Sequence, residues 1–167
     1  RYSGDDGPAV SAAINEPTGL AVSDEALYIA DQSNNRVRRV DLATGVITTV
    51  AGDGTAAYSG DQVSAVQASL AGPSGVALGG DGVVYVADTF NSRIRSVDPA
   101  TGQIATVAGD GGTYRYQGPA EPSSPSLSRP AGIAVGSDGN VYMTDSDSHL
   151  IRVSNGRSKT ISRLSGT

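Results

Sequence analysis

The stretch Tyr85-Val-Ala-Asp-Thr-Phe-Asn-Ser-Arg-Ile-Arg-Ser-Val-Asp98 decides the fold, because versions of it are found three times in the chain. Its first four residues correspond to Tyr28-Ile-Ala-Asp31 and to Tyr142-Met-Thr-Asp145, so the three aspartates are spaced by 57 residues. A fixed period of this length is typical of chains built from repeated structural units. The sequence therefore has to be interpreted as a set of repeats before any single residue is assigned a role.

A second string marks the start of each unit. Pro17-Thr-Gly-Leu-Ala-Val22 corresponds to Pro73-Ser-Gly-Val-Ala-Leu78 and to Pro130-Ala-Gly-Ile-Ala-Val135. Together the two strings divide the 167 residues into three units, which we expect to cover about residues 1–56, 57–113 and 114–167. We treat these units as parts of one domain.

Each unit contains four short segments rich in Val, Ile, Leu and Tyr, separated by turn formers such as Gly79-Gly-Asp-Gly82. This pattern predicts strands near residues 18–22, 27–30, 36–40, 46–50, 74–78, 83–87, 93–97, 103–107, 131–135, 141–144, 150–154 and 159–163. Four antiparallel strands that recur at a fixed period are typical of a β-propeller, in which each sheet is a blade packed between two others. The predicted fold is all-β, with three four-stranded antiparallel sheets.

The repeats resemble NHL repeats, in the version common in large surface proteins. The resemblance rests on the string PxG(L/V/I)A(V/L), then YxADxxNxR(V/I)R, then VDxATGxIxTVAGDG, followed by YSGD before the next unit. It implies a propeller of six blades, of which this chain supplies half. The third unit departs from the pattern, because it lacks both the VDxATG turn and the TVAGDG string.

Three blades cannot close a ring, so the outer faces of the first and last sheets need to be covered. We expect the cover to be further propeller blades of a longer polypeptide, because the sequence starts with Arg1-Tyr-Ser-Gly-Asp5, which matches the loop Ala57-Tyr-Ser-Gly-Asp61 between blades. The alternative is a second copy of the chain that completes six blades by two-fold symmetry.

Composition excludes several kinds of chemistry. The chain has no Cys and one His, His149, which excludes disulfides, thiolate zinc sites, cysteine nucleophiles and a histidine-only metal cluster within one copy. The net charge of -5 argues against a nucleic-acid partner, and no run approaches the roughly 18 apolar residues of a membrane span. The resemblance and the low Lys content favour an extracellular or cell-surface location.

These observations predict a non-catalytic module that acts as a rigid protein-binding or structural scaffold, without cofactor, metal or catalytic residues. The alternative is a segment of an NHL-type lyase or hydrolase whose metal and catalytic residues lie on blades outside this chain. The resemblance bears on this choice, because NHL-type lyases hold their metal with several channel histidines.

Phe90 is the principal candidate for partner binding, because it interrupts the repeat at a turn where the other units have Ser33 and Asp147. A large aromatic at a turn suits a contact with a partner, and packing on the adjacent blade is the alternative. The other candidates for the same surface are Thr89, Asn91, Tyr114, Arg115, Asp147 and His149. For His149 the alternative is an ordinary polar surface position.

Residues that recur in every unit are assigned to the blades themselves. We expect the repeated aspartates to accept hydrogen bonds from backbone N–H groups; the alternative is a ring of carboxylates that binds a cation. We expect the arginines of the third strands to pair with aspartates of the same sheet, with protein or phosphate binding as the alternative. The assigned structural residues are Asp31, Asp88, Asp145, Gly19, Gly75 and Gly132.

Overall fold

The computed structural model of the chain describes residues 2–112, 126–155 and 160–166, which form three antiparallel sheets. The first sheet contains β1 (Gly7–Pro8), β2 (Pro17–Val22), β3 (Ala26–Asp31), β4 (Arg36–Asp41) and β5 (Val46–Ala51). The second contains β6 (Val63–Ser64), β7 (Pro73–Leu78), β8 (Val84–Asp88), β9 (Arg93–Val97) and β10 (Gln103–Ala108). The third contains β11 (Pro130–Val135), β12 (Val141–Asp145), β13 (Leu150–Ser154) and β14 (Ile161–Ser165).

The prediction of an all-β fold with three antiparallel sheets is confirmed. The strand order is β1-β5-β4-β3-β2 in the first sheet, β6-β10-β9-β8-β7 in the second and β11-β12-β13-β14 in the third. The sequence did not indicate the two-residue strands β1 and β6, which pair with the outer strands β5 and β10. Two residues are too few for an alternating pattern to show.

The helical pieces of the described residues are five single turns of 3-10 helix. They cover Ala9–Ser11, Gln32–Asn34, Ala65–Gln67, Thr89–Asn91 and Ser146–Ser148. No helix in the described part of the chain has the length and apolar character needed to cross a membrane.

The three innermost strands approach one another at the recurring glycines. A Cβ placed on Gly19 would lie 2.7 Å from the backbone oxygen of Ser74, and one placed on Gly75 would lie 2.1 Å from that of Ala131. Any side chain at these two positions would therefore collide with the next blade. The hydroxyl of Thr18 also donates a 2.9 Å hydrogen bond to the Ser74 oxygen.

Two apolar layers lie between the three sheets. The first fills the space between the first and second sheets and includes Ala30, Val76 and Val86. The second lies between the second and third sheets and includes Ile94, Val141 and Met143. The second sheet is consequently covered on both faces, as a propeller blade requires.

The end sheets each keep one face open. On the first sheet Leu20 is 65% exposed and Val22 is 68% exposed, whereas Val76, the equivalent of Leu20 in the second sheet, is 4% exposed. We call the surface formed by Leu20 and Val22 the leading face. On the third sheet the exposed residues Gly132, Ala134, Ile151 and Leu164 form what we call the trailing face.

Candidate binding rim

Three turns between second and third strands lie at one edge of the sheets, beside the segments that lead into the inner strands. In each unit the N–H of the turn's second residue donates to a carbonyl of that segment: Ser33 to Asn15 at 3.1 Å, Phe90 to Ala71 at 3.0 Å, and Asp147 to Ser128 at 3.2 Å. We call this edge the turn rim, defined by residues 15–16, 32–35, 71–72, 89–92, 128–129 and 146–149.

The recurring aspartates lie beneath the turn rim and accept hydrogen bonds from its backbone or from the residue next to it. Asp31, Asp88 and Asp145 are all fully buried. Each accepts a hydrogen bond from the backbone N–H before its own inner strand, at 2.7 Å from Asn15, 2.8 Å from Ala71 and 2.6 Å from Ser128. The carboxylates therefore lie under the surface, where they fix the backbone that carries the turns.

A buried arginine accompanies each of these carboxylates. The separations between guanidinium nitrogen and carboxylate oxygen are 3.5 Å for Arg38 with Asp31, 3.4 Å for Arg95 with Asp88 and 3.4 Å for Arg152 with Asp145. Burial raises the pKa of the Asp88 and Asp145 carboxyls, although the backbone donors and the arginines act in the opposite direction. Burial also lowers the pKa of Arg152.

The Tyr-Ser-Gly-Asp strings contact a second set of arginines, at the start of β4 and β9. The guanidinium carbon of Arg36 lies 3.8 Å from the ring centre of Tyr2, and that of Arg93 lies 3.8 Å from the ring centre of Tyr58. Such cation–π stacking is attractive because the ring face carries partial negative charge. Sequence reasoning matched this string between units but did not pair it with the arginines.

The aspartate of the same string forms an ion pair with the buried arginine of the sheet. Asp5 lies 2.6 Å from Arg38, and Asp61 lies 3.1 Å from Arg95. Burial raises the pKa of Asp5, but hydrogen bonds from Tyr2 and Thr49 and the charge of Arg38 outweigh it, so the pKa lies below its usual value.

Phe90 lies on the turn rim with 56% of its surface exposed. One side of its ring packs on Gly72, where an added Cβ would come within 2.4 Å of the ring carbons. The guanidinium of Arg129, at the start of the third unit, lies 5.8 Å from the ring centre. The side chain thus contacts its own unit and the next one while leaving a large apolar area in solvent.

The two neighbours of Phe90 support the turn and are not its exposed surface. Thr89 is 3% exposed, and its hydroxyl is 2.6 Å from that of Ser74. The side-chain amide of Asn91 donates to the carbonyl of Ala57 and to the Asp88 carboxylate, both at 2.8 Å. Sequence proximity to Phe90 could not distinguish these supporting roles from surface exposure.

In the third unit Asp147 occupies the position of Phe90 and is half-buried, and His149 is exposed at the end of its turn. His149 has a φ of 58°, in the left-handed region that its equivalents Asn35 and Ser92 also adopt at 52°. The predicted residues Tyr114 and Arg115 lie outside the described part of the chain.

Two positions that face each other across the turn rim are occupied by a different residue in each unit. The first member of each pair is left-handed: Glu16, Gly72 and Arg129 have φ values of 52°, 55° and 62°. The second member lies in the turn opposite, and in the first unit the Ser33 hydroxyl donates to the Glu16 carboxylate. Sequence reasoning identified Phe90 but missed Gly72 and Arg129, although Glu, Gly and Arg at equivalent positions were a visible signal.

The described residues contain no group of three or more His, Cys, Asp or Glu side chains arranged to hold a metal ion. The arrangement they do contain is an exposed aromatic with a nearby cation, fixed on a rigid backbone. That arrangement suits recognition of another surface.

Two models of known protein families match parts of the chain. Residues 49–125 match the model of the teneurin NHL domain, and residues 127–153 match that of the NHL repeat. The chain belongs to the NHL-repeat β-propeller family. The first match runs from the last strand of the first sheet through the whole second sheet, so it includes the turn that carries Phe90.

The chain spans less than a quarter of the length of the curated relatives that it matches. It is 30% identical over 164 residues to human NHL repeat-containing protein 2, which covers 92% of this chain and 22% of that protein. It is 29% identical over 145 residues to the Arabidopsis thaliana protein SUPPRESSOR OF QUENCHING 1, chloroplastic, covering 82% of this chain and 14% of that protein. Human teneurin-4 is 36% identical over 102 residues, which are 53% of this chain and 4% of teneurin-4.

Solved structures share the fold at lower identity. A chain of a nidogen–laminin complex superposes with a TM-score of 0.64 at 21% identity, covering 95% of this chain and 53% of that one. A gluconolactonase from Xanthomonas campestris superposes with a TM-score of 0.64 at 17% identity, covering 92% and 48%. At such identities the likeness establishes the fold alone, and the fold does not choose between a binding protein and an enzyme.

Proposed function

We propose that the chain supplies three blades of an NHL propeller that acts as a non-catalytic protein-interaction or structural scaffold. Its binding surface is the turn rim, with Phe90 at the centre and Asp147 and His149 on the neighbouring blade. The observation that carries this proposal is the exposure of Phe90, 56%, at a position where the other two units have small or charged residues.

The rigidity of its support makes Phe90 suitable as a binding anchor. Its backbone N–H is bonded to Ala71, its ring packs on Gly72, and its neighbour Asn91 is held by two hydrogen bonds. Little conformational entropy remains for a partner to remove, so burial of the exposed ring favours binding. Aromatic residues and Arg are enriched at interface centres, and Arg129 lies beside this ring.

The proposed compartment is extracellular or the cell surface. Its support is the resemblance of the repeats to those of surface proteins, together with the match to the teneurin NHL domain. An epitope tag introduced in an exposed hairpin and probed on intact cells tests this assignment. Staining that requires permeabilised cells would contradict it.

A binding selection with a matched control tests the role of the turn rim. The immobilised chain is presented with phage-displayed random peptides, and each selected peptide is then measured against two variants. Phe90→Ser introduces the residue of the first unit, and Leu42→Ser removes an apolar side chain of similar exposure, 51%, in the turn between β4 and β5 at the opposite edge.

We expect most selected peptides to lose at least tenfold in affinity with Phe90→Ser and to keep their affinity with Leu42→Ser. Peptides that bind both variants as well as the original chain would overturn the assignment of the rim, as would a selection that yields no binder.

A further inference from the structure

Departures from the repeat meet at one point of the turn rim. The turn of the second unit carries Phe90, a residue that neither of the other units has at this position. The segment before the second sheet has Gly72 and the segment before the third sheet has Arg129, where the first unit has Glu16. Both of these residues lie beside the Phe90 ring. The second and third units together therefore present an aromatic ring, a glycine and a cation at their junction.

Gly72 leaves the space that the ring occupies. A Cβ added there would lie 2.4 Å from two ring carbons of Phe90, so any side chain at this position would displace the ring. In the first unit the equivalent residue is Glu16, and its carboxylate accepts a hydrogen bond from the Ser33 hydroxyl. An apolar contact in the second unit thus replaces a polar one in the first.

Arg129 adds a positive charge at the edge of this apolar surface. The residue is exposed, and its guanidinium carbon lies 5.8 Å from the centre of the Phe90 ring. Its backbone is fixed on both sides, because the N–H of Ser128 donates to the Asp145 carboxylate at 2.6 Å and the Arg129 carbonyl accepts from the N–H of Ser146 at 3.4 Å. The charge is therefore positioned beside the ring by a backbone that is already ordered.

The environment of Arg129 differs from that of the arginines inside the blades. Those arginines stack on tyrosines or lie buried beside aspartates, as seen for Arg36, Arg93, Arg38, Arg95 and Arg152. Arg129 instead lies at the surface next to an aromatic ring that is 56% exposed. A guanidinium matches the geometry of a carboxylate, and an apolar ring matches an apolar side chain.

We propose that the turn rim recognises a peptide segment of a partner protein in which an apolar side chain, packed on Phe90, is adjacent to an Asp or Glu that pairs with Arg129. This inference rests on the proposed function and adds the chemistry of the partner. An apolar side chain docked on the ring would exclude water near the guanidinium and strengthen its attraction to a carboxylate. The net charge of -5 opposes strongly acidic partners at long range, so the preference is for one carboxylate at one place.

Two equivalent positions provide a variant and its matched control. Arg129→Glu introduces the residue that the first unit has at this position, in the same left-handed region, with φ values of 62° for Arg129 and 52° for Glu16. Glu16→Arg makes the opposite exchange in the first unit, whose turn has no aromatic residue. Both positions are exposed, so both variants should fold, which circular dichroism checks.

The measurement is the affinity of peptides selected on the original chain from a random phage-displayed library. Among peptides that Phe90→Ser weakens, we expect Asp or Glu to be enriched next to an apolar residue. Arg129→Glu should lower their affinity by about tenfold, because it places like charges opposite each other across the contact. Glu16→Arg should change it by no more than about twofold at physiological salt, since surface charges away from a contact are screened.

A charge exchange between peptide and chain tests the pairing itself. Replacement of the acidic residue of a selected peptide by Lys should weaken its binding to the original chain. The same Lys peptide should bind Arg129→Glu more tightly than it binds the original chain. The combined loss from both changes should then be smaller than the sum of the two separate losses, as expected for groups in direct contact.

The possible outcomes separate this inference from the proposed function. Peptides that Phe90→Ser weakens but that lack an acidic residue, or that bind Arg129→Glu unchanged, would overturn the acidic partner and leave the rim as the binding surface. Equal and opposite shifts with Arg129→Glu and Glu16→Arg would also overturn it, because net charge alone would then account for both. Peptides that Phe90→Ser does not weaken would overturn this inference and the proposed function together.

Discussion

The second and third sheets share an inner-strand pattern but differ in what lies against it. Gly75 is buried under the third sheet, whereas the equivalent Gly132 is exposed. A Cβ added at Gly75 would therefore collide with the next sheet, whereas one added at Gly132 would meet only the Thr144 side chain, at 3.3 Å. The difference teaches that the repeat specifies the same inner-strand surface in each unit, and that a neighbouring sheet makes its glycine a packing requirement.

The largest expected effect tests whether the buried arginine–aspartate pair of a sheet stabilises the chain regardless of how many neighbouring sheets cover that sheet. Arg95 in the second sheet and Arg152 in the third are both 0% exposed and each lies beside a buried aspartate. Removal of one partner leaves a buried charge without compensation, at a cost of about 3–5 kcal/mol. We expect Arg95→Met and Arg152→Met to lower the free energy of unfolding by similar amounts within that range, measured by urea denaturation.

The partly exposed pair Arg39 and Asp41 supplies the control for that measurement. Their side chains are 30% and 31% exposed, and Arg39→Met should change the free energy of unfolding by about 0–1 kcal/mol. If Arg152→Met lowered the free energy of unfolding much less than Arg95→Met does, the contribution of the buried arginine–aspartate pair would depend on coverage by a neighbouring sheet.

The next largest expected effect is that of alanine at Gly75, compared with alanine at the equivalent Gly132. Gly75→Ala brings a Cβ to 2.1 Å from the backbone oxygen of Ala131, which forces the second and third sheets apart. Overpacking of this kind costs about 1–3 kcal/mol. Gly132→Ala should change the free energy of unfolding by no more than about 0.5 kcal/mol, as surface substitutions do.

Urea denaturation of the original chain and of both variants measures these two changes. Equal losses of unfolding free energy in Gly75→Ala and Gly132→Ala would contradict the role given to Gly75. They would mean that both glycines are required by the strand itself and not by the contact between blades.

The smallest expected effect concerns Asp5, which pairs with Arg38 of the first sheet. The pKa of Asp5 lies below its usual 3.8 in the folded chain. Its contribution to stability is therefore present above that usual value and is lost as pH falls through the lower folded-state pKa. Asp5→Asn should be less stable than the original chain near neutral pH, by less than Gly75→Ala, and the difference should shrink below about pH 4.

Urea midpoints collected between neutral and strongly acidic pH measure this difference. A gap between Asp5→Asn and the original chain that is constant over the whole range would contradict the role given to the Asp5 charge.

The repeat predicted most of the fold because its strands alternate apolar and polar residues and its turns are rich in glycine. Predicted strands such as 36–40 and 93–97 agree within a residue with β4 (Arg36–Asp41) and β9 (Arg93–Val97). The turns between second and third strands were expected as turns of unspecified type and are single 3-10 turns. Their left-handed end is occupied by Asn35, Ser92 and His149, and no glycine marks it in the sequence.

The candidate site could be predicted only in part. Phe90 differs visibly from its equivalents, so one sequence was enough to select it. Gly72 and Arg129 approach it through the packing of blades, and that proximity depends on contacts between residues of different units. The distinction between the exposed Phe90 and the buried Thr89 next to it is likewise set by the turn geometry.

The contact between glycine and backbone oxygen has a consequence for how such chains can evolve. Since the contact involves backbone and no particular side-chain identity on the receiving strand, duplication of one unit would create a junction like the existing ones. A gene encoding these blades can therefore lengthen or shorten by whole units without the invention of a new contact, and turn positions 33, 90 and 147, which differ between units, take no part in that contact.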